Sequence, residues 1–179
     1  SACALRAASA GDQELKARGD EIVAGLARCQ QKLASRGYLS AFPLELFHRL
    51  QQRKRVWAPF YTLHKIMAGL LDMHILTGNK QAIEVVSGMA AWADQWTAAQ
   101  PESHMQQILK EEYGGMNEVL YNLSVAANEP RWATVGDRFN KLAFFTPLAQ
   151  QRDELRNLHA NTHIPQAIGP ARRFETSPP

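Results

Sequence analysis

The chain has 179 residues, 45% hydrophobic and 21% charged, with a mean hydropathy of −0.33; that balance excludes a disordered chain and allows one domain with a sizeable core. Its net charge of +3 and pI near 9.0 are mildly basic, but Lys and Arg are scattered among Asp and Glu, and the one basic cluster, Arg53-Lys54-Arg55, suits a solvated loop; no nucleic-acid groove is expected, because phosphate binding takes many cations on one surface. No apolar run reaches the roughly 20 residues that span a bilayer, so no membrane partner is expected, and Cys3 and Cys29 are too few for a disulfide framework or an all-sulfur zinc site and read as buried free thiols in helices.

Helical periodicity runs from one end to the other without sustained two-residue alternation. A first helix through Leu5 and Ala8 stops at Gly11, and Asp12 caps a second helix whose Leu15, Ile22, Leu26 and Cys29 share a face. The opening Ser1-Ala2-Cys3-Ala4-Leu5 reads as mid-helix with no Met and no cap, so the natural N-terminus is expected upstream, and localisation is not legible. A loop, Gly37-Tyr38-Leu39-Ser40-Ala41-Phe42-Pro43, precedes a short amphipathic segment over 44–50. The pattern then recurs. Pro59 stands near the start of a helix carrying His64, Met67, Leu70, Leu71 and His74, which ends at Thr77-Gly78-Asn79, the counterpart of Ala10-Gly11-Asp12. Its partner presents Ile83, Val86, Ala90 and Trp92. A third hairpin opens at Gly114-Gly115, runs through Val119, Leu120 and Leu123, turns at Ala127-Asn128-Glu129-Pro130 and returns through Trp132, Val135 and Phe139. Trp92, Trp96, Trp132, Phe139 and Phe144 are assigned to packing in second helices. A fourth first helix begins after His159 and ends in Ser177-Pro178-Pro179 without a partner.

The unequal spacing disfavours fixed-period repeats and suits an all-α toroid of antiparallel hairpins, one helix of each facing the axis. All first helices then run in one direction, and their starts share a rim. Those starts read Trp57-Ala58-Pro59-Phe60-Tyr61-Thr62-Leu63-His64-Lys65, Glu111-Glu112-Tyr113-Gly114-Gly115-Met116-Asn117-Glu118 and Leu158-His159-Ala160-Asn161-Thr162-His163-Ile164-Pro165. Aromatic faces beside hydrogen-bonding groups are what a sugar ring requires, since its C–H face stacks and its hydroxyls need partners. His64 reads either as a hydrogen-bonded core histidine or as a ligand-facing one. Glu111, Glu112 and Glu118 suit either general acid–base work or the helix dipole. Gly114-Gly115 serves a tight turn or a close backbone approach. His159 and His163 have the spacing of a metal pair, but no third ligand is evident and Pro165 shares their turn, which argues against a zinc site made from this chain alone.

In the same order along almost the whole chain, Gly37-Tyr38-Leu39-Ser40-Ala41-Phe42, Tyr61-Thr62-Leu63-His64-Lys65, Thr77-Gly78-Asn79, Gly114-Gly115-Met116-Asn117-Glu118 and His159-Ala160-Asn161-Thr162-His163-Ile164-Pro165 resemble β-L-arabinofuranosidases and their relatives, glycoside hydrolase families 127 and 146. The resemblance implies that residues 1–179 are a single domain forming roughly the N-terminal half of an (α/α)6 toroid whose axial pocket takes a terminal L-arabinofuranose. It implies a retaining double displacement in which a zinc-bound cysteine is the nucleophile and a glutamate the acid/base, both C-terminal to Pro179; a Glu-x-Cys and a Cys-Cys pair are expected there. Neither Cys3 nor Cys29 matches a family motif, so the zinc ligands are expected outside this segment and no metal or catalytic residue within it. What carries over is substrate binding: His64 and His159 match furanose-contacting histidines, and Asn117 and Glu118 fall in the pocket segment. Two departures stand out: the chain starts just after the family's Gly-His-Tyr-Leu segment, and its last first helix lacks a mate.

The expected function is therefore a carbohydrate-active segment of a glycosidase acting on L-arabinofuranoside-containing glycans, inactive alone. Two alternatives are a sugar epimerase or isomerase using His64 and His159 as acid and base, and a non-catalytic helical scaffold. Open hairpin flanks are expected to drive self-association.

Overall fold

The computed structural model describes residues 1–33 and 35–176, and every regular element among them is helical. In chain order these are α1 (Ala2–Ala10), α2 (Gln13–Leu33), α3 (Glu45–Gln51), α4 (Pro59–Thr77), α5 (Lys80–Ala98), α6 (Glu102–Glu111), α7 (Met116–Ala126), α8 (Arg131–Asp137), α9 (Leu142–Ala149) and α10 (Ala160–Thr176).

Two turns explain the hairpins. Gly11 and Gly78 end α1 and α4 in the left-handed region, at φ 66° and 71°. The next residue in each case caps the following helix: Leu15 N donates to Asp12 Oδ1 at 3.0 Å, and Ala82 N to Asn79 Oδ1 at 2.9 Å. The two turns are counterparts, as the sequence predicts. In the third hairpin Asn128, at φ 52°, takes the left-handed position between α7 and α8.

The hairpins form two layers. Helices α1, α4, α7 and α10 pack side by side in that order, and α2, α5 and α8 form the other layer, with α2 against α5 and α5 against α8. This arc of antiparallel hairpins is the build of part of an (α/α)6 toroid. Among the described residues α10 has no hairpin mate, and the predicted Ser177-Pro178-Pro179 terminus lies outside them. Between the layers, Phe47 of α3 meets Phe60, Trp92 and Trp96 at centroid separations of 5.1, 4.8 and 5.9 Å, and Phe60 meets Phe139 at 5.0 Å, all edge to face.

Several expectations need correction. On α2 the buried residues are Gly19, Val23 and Ala27, while Ile22 and Cys29 are exposed. The helix turns its small residues inward because α4 is close: a Cβ on Gly19 would lie 2.7 Å from Met73 Sδ. Cys3 is only partly buried, so neither thiol is a core residue. Two helices were not anticipated, α6, whose Met105, Ile108 and Leu109 face inward, and α9, which holds Phe144. Phe139 follows α8 in a turn, and neither phenylalanine belongs to a second helix.

Candidate functional site

The starts of α4, α7 and α10 converge on one open cleft of about 1070 Å3. Pro59 sets the first turn of α4, where its missing N–H has no role, and Ala58 enters at φ 58° without a side-chain cap. The cap comes from far along the chain. Glu112 Oε1 accepts the Tyr61 N–H at 2.7 Å, joining the α6–α7 connection to the start of α4. Glu112 is buried, and that burial pushes its carboxyl up to about 7 against the opposing pull of the backbone amides around Tyr61.

Glycine permits this crossing. Gly114 has φ 55°, and a Cβ there would stand 2.8 Å from both Tyr61 Cα and His64 Nδ1; one on Gly115 would stand 3.1 Å from His64 Cδ2. Both the turn and the close-approach readings of this pair hold. Gln166 of α10 completes the junction, its Nε2 donating to Gly114 O at 3.1 Å.

Two faces of the cleft differ in chemistry. One carries aromatics: Trp57, 81% exposed, with Tyr61 and Tyr113. The other is a polar corner around His163, whose Nε2 lies 3.2 Å from Tyr113 Oη and 3.2 Å from Lys141 Nζ, with Thr162 Oγ1 3.2 Å from its Nδ1. Lys141 Nζ also stands 4.5 Å from the Tyr113 ring centroid. Burial lowers the pKa of both Lys141 and His163, and for His163 the Lys141 charge adds to it.

None of the four residues expected to bind sugar lines this cleft. His64, 5% exposed, lies behind Gly114-Gly115; its Nδ1 has no hydrogen-bond partner among the described residues, and burial, then the Lys65 charge, lower its pKa to about 4. Asn117 is fully buried, and its Nδ2 donates to Asn140 Oδ1 at 3.1 Å and Gln166 O at 3.2 Å. Glu118 is half-buried on α7, its pKa raised by burial, with Lys65 opposing and Asp72 adding. His159 is exposed just before α10, where its carbonyl accepts from Thr162 Oγ1 at 2.9 Å. The structure thus brings His64 and Asn117 to the back of the cleft wall and leaves His159 at the rim. Trp57, Tyr113, Lys141 and His163 are among the residues that line the cleft instead. Tyr113 and His163 stood in the segments singled out, whereas Lys141, in a connection between α8 and α9, carried no local signal.

Among the described residues no group of three or more His, Cys, Asp or Glu side chains comes together to hold a metal ion. The described residues therefore do not fit the zinc that the resemblance implies. No helix among the described residues is long and apolar enough to cross a membrane.

Comparison with curated proteins finds no match. The family model described as the β-L-arabinofuranosidase GH127 catalytic domain matches residues 1–178. With that match over an all-helical arc of hairpins whose inner helix starts surround one cleft, the chain belongs to the GH127 β-L-arabinofuranosidase catalytic-domain family, and so to the glycoside hydrolases.

Proposed function

We propose that the cleft at the starts of α4, α7 and α10 binds a terminal arabinofuranose of a glycan, and that this chain supplies part of the binding wall of a glycosidase toroid. The observation that carries the reading is the convergence of three separate helix starts on one opening with an exposed indole, Trp57, at its edge. Stacking on Trp57 and hydrogen bonding by Tyr113, Asn161 and His163 would hold the ring, with His159 at the rim within reach of an extended substrate. His64 and Asn117 act on the sugar through the wall they support, whereas Glu118 of α7 stands beside Lys65 and Asp72 of α4. The bond-breaking groups, including the zinc-bound cysteine, are those the family resemblance assigns to a region C-terminal to Pro179.

The epimerase reading needs two histidines at one sugar carbon. His64 behind the glycine pair and His159 exposed at the rim do not supply that pairing, and the family match favours glycosidic chemistry. Titration calorimetry with methyl β-L-arabinofuranoside tests the proposal. Saturable binding that Trp57→Ala weakens by about tenfold is expected, the loss of one stacking contact. Absence of saturable binding, or binding indifferent to Trp57→Ala, would reject it. The chain alone is expected to release no arabinose from a p-nitrophenyl arabinofuranoside, and measurable release would contradict that part.

A further inference from the structure

The charges around the cleft do not balance. Arg49, Arg55, Lys110 and Lys141 line it, against two carboxylates, Glu111 and Glu112. Among the described residues none of these six takes part in an ion pair. One of the two carboxylates also carries less than a full charge. Glu112 is buried with its oxygen on the Tyr61 amide, and its pKa of about 7 leaves it only part-ionised near neutrality. The wall therefore presents a surplus of positive charge to whatever enters.

Lys141 localises that surplus. Arg49, Arg55 and Lys110 are exposed, and solvent screens them. Lys141 is half-buried, and its ammonium rests on two groups that carry no negative charge: His163 Nε2 at 3.2 Å and the Tyr113 ring at 4.5 Å. Removing an ammonium from water without a carboxylate is unfavourable, and burial already pulls this one toward neutrality. A ligand carboxylate would supply the missing partner. Two donors for it are in place, since Lys141 Nζ and Tyr113 Oη each stand 3.2 Å from His163 Nε2.

Resting on the reading of the cleft as a sugar site, we infer that the Lys141, His163 and Tyr113 corner is a carboxylate subsite, and that the glycan taken by this cleft bears a uronic acid close to its terminal furanose. The carboxylate accepts from the Lys141 ammonium and the Tyr113 hydroxyl, and Arg49, Arg55 and Lys110 draw acidic chains toward the opening. No covalent step is involved.

D-galacturonate and D-galactose share a ring and differ in the carboxylate, so their comparison isolates the subsite. Titrating the full chain with each, and with methyl β-L-arabinofuranoside, should give galacturonate an advantage of about tenfold over galactose, the factor one charge-assisted hydrogen bond supplies. Lys141→Met should abolish that advantage, Lys141→Arg should preserve most of it, and added salt should shrink it. Tyr113→Phe, which removes only a hydroxyl, should reduce it several-fold and serves as the readout if Lys141→Met fails to fold. Equal affinities for galacturonate and galactose, with arabinofuranoside still bound, would overturn this inference and leave the sugar reading standing. No saturable binding of any of the three would overturn both. A preference that survives Lys141→Met and Tyr113→Phe would place the carboxylate elsewhere and overturn it as well.

Discussion

Asn117 Nδ2 donates to the carbonyl oxygen of Gln166, 3.2 Å away on α10, and that oxygen is free because the residue four positions on is Pro170, which has no N–H to offer. A proline gap in one helix is thus filled by a buried amide from the next. The same amide reaches Asn140 Oδ1, so Asn117 joins α7, α10 and the turn after α8. Asn117→Ala should leave the buried Gln166 carbonyl unsatisfied and cost about 1–3 kcal/mol, read from urea unfolding. An unchanged midpoint would mean that water replaces the amide.

Gly169 lets α10 come that close. A Cβ there would fall 2.3 Å from the Asn117 carboxamide, so Gly169→Ala should destabilise by about 1–3 kcal/mol although alanine is the better helix former. Full stability in that variant would contradict the packing.

Gly114 and Gly78 share a positive φ but not a setting. A Cβ on Gly78 meets nothing within 4 Å, so Gly78→Ala should cost about 1 kcal/mol for backbone conformation alone. On Gly114 it would strike His64 and the α4 backbone, and Gly114→Ala should cost at least twice as much and deform the cleft. Thermal melts of the two variants side by side decide this, and equal losses would count against the crossing.

Two buried groups give stability opposite slopes with pH. Glu112 has its folded pKa raised from 4.5 to about 7, so its contribution is fully present below pH 4.5 and is lost as pH rises through 7, roughly 3 kcal/mol over the window. His64 has its pKa lowered from 6.5 to about 4, so its contribution is present above pH 6.5 and is lost as pH falls through 4. Glu112→Gln, which keeps an acceptor for Tyr61, should gain on the wild type at pH 8 relative to pH 4.5, and His64→Gln should flatten the acid side. Parallel pH–stability curves for wild type and Glu112→Gln would refute the assignment.

Helix α10 exposes Ile164, Ile168 and Phe174 at 62%, 48% and 70%, and among the described residues it has no hairpin mate. Self-association through this flank is expected, and Ile168→Glu with Phe174→Glu should shift the chain toward monomer in light scattering. A wild-type monomer across a wide concentration range would remove the basis for that expectation.

Local signals carried most of the architecture. Gly11 with Asp12 and Gly78 with Asn79 encode helix ends through left-handed φ and side-chain caps, so the hairpins and their order are legible without any long-range information. The convergence of first-helix starts followed from topology alone. Which way a side chain points did not. Ile22 and Cys29 fit an inward face by periodicity, yet the close approach of α4 to α2 selected Gly19, Val23 and Ala27 instead, a matter of interhelical distance that no single helix encodes. At the cleft, the segments were legible and the facing residues were not: Gly114-Gly115 admitted the α6–α7 connection so near that it covers His64, while Lys141 came from a connection with no pattern of its own. Helix boundaries depend on neighbours a few positions away along the chain. The faces of the cleft depend on how tightly separate helices pack, and that is settled only when they meet.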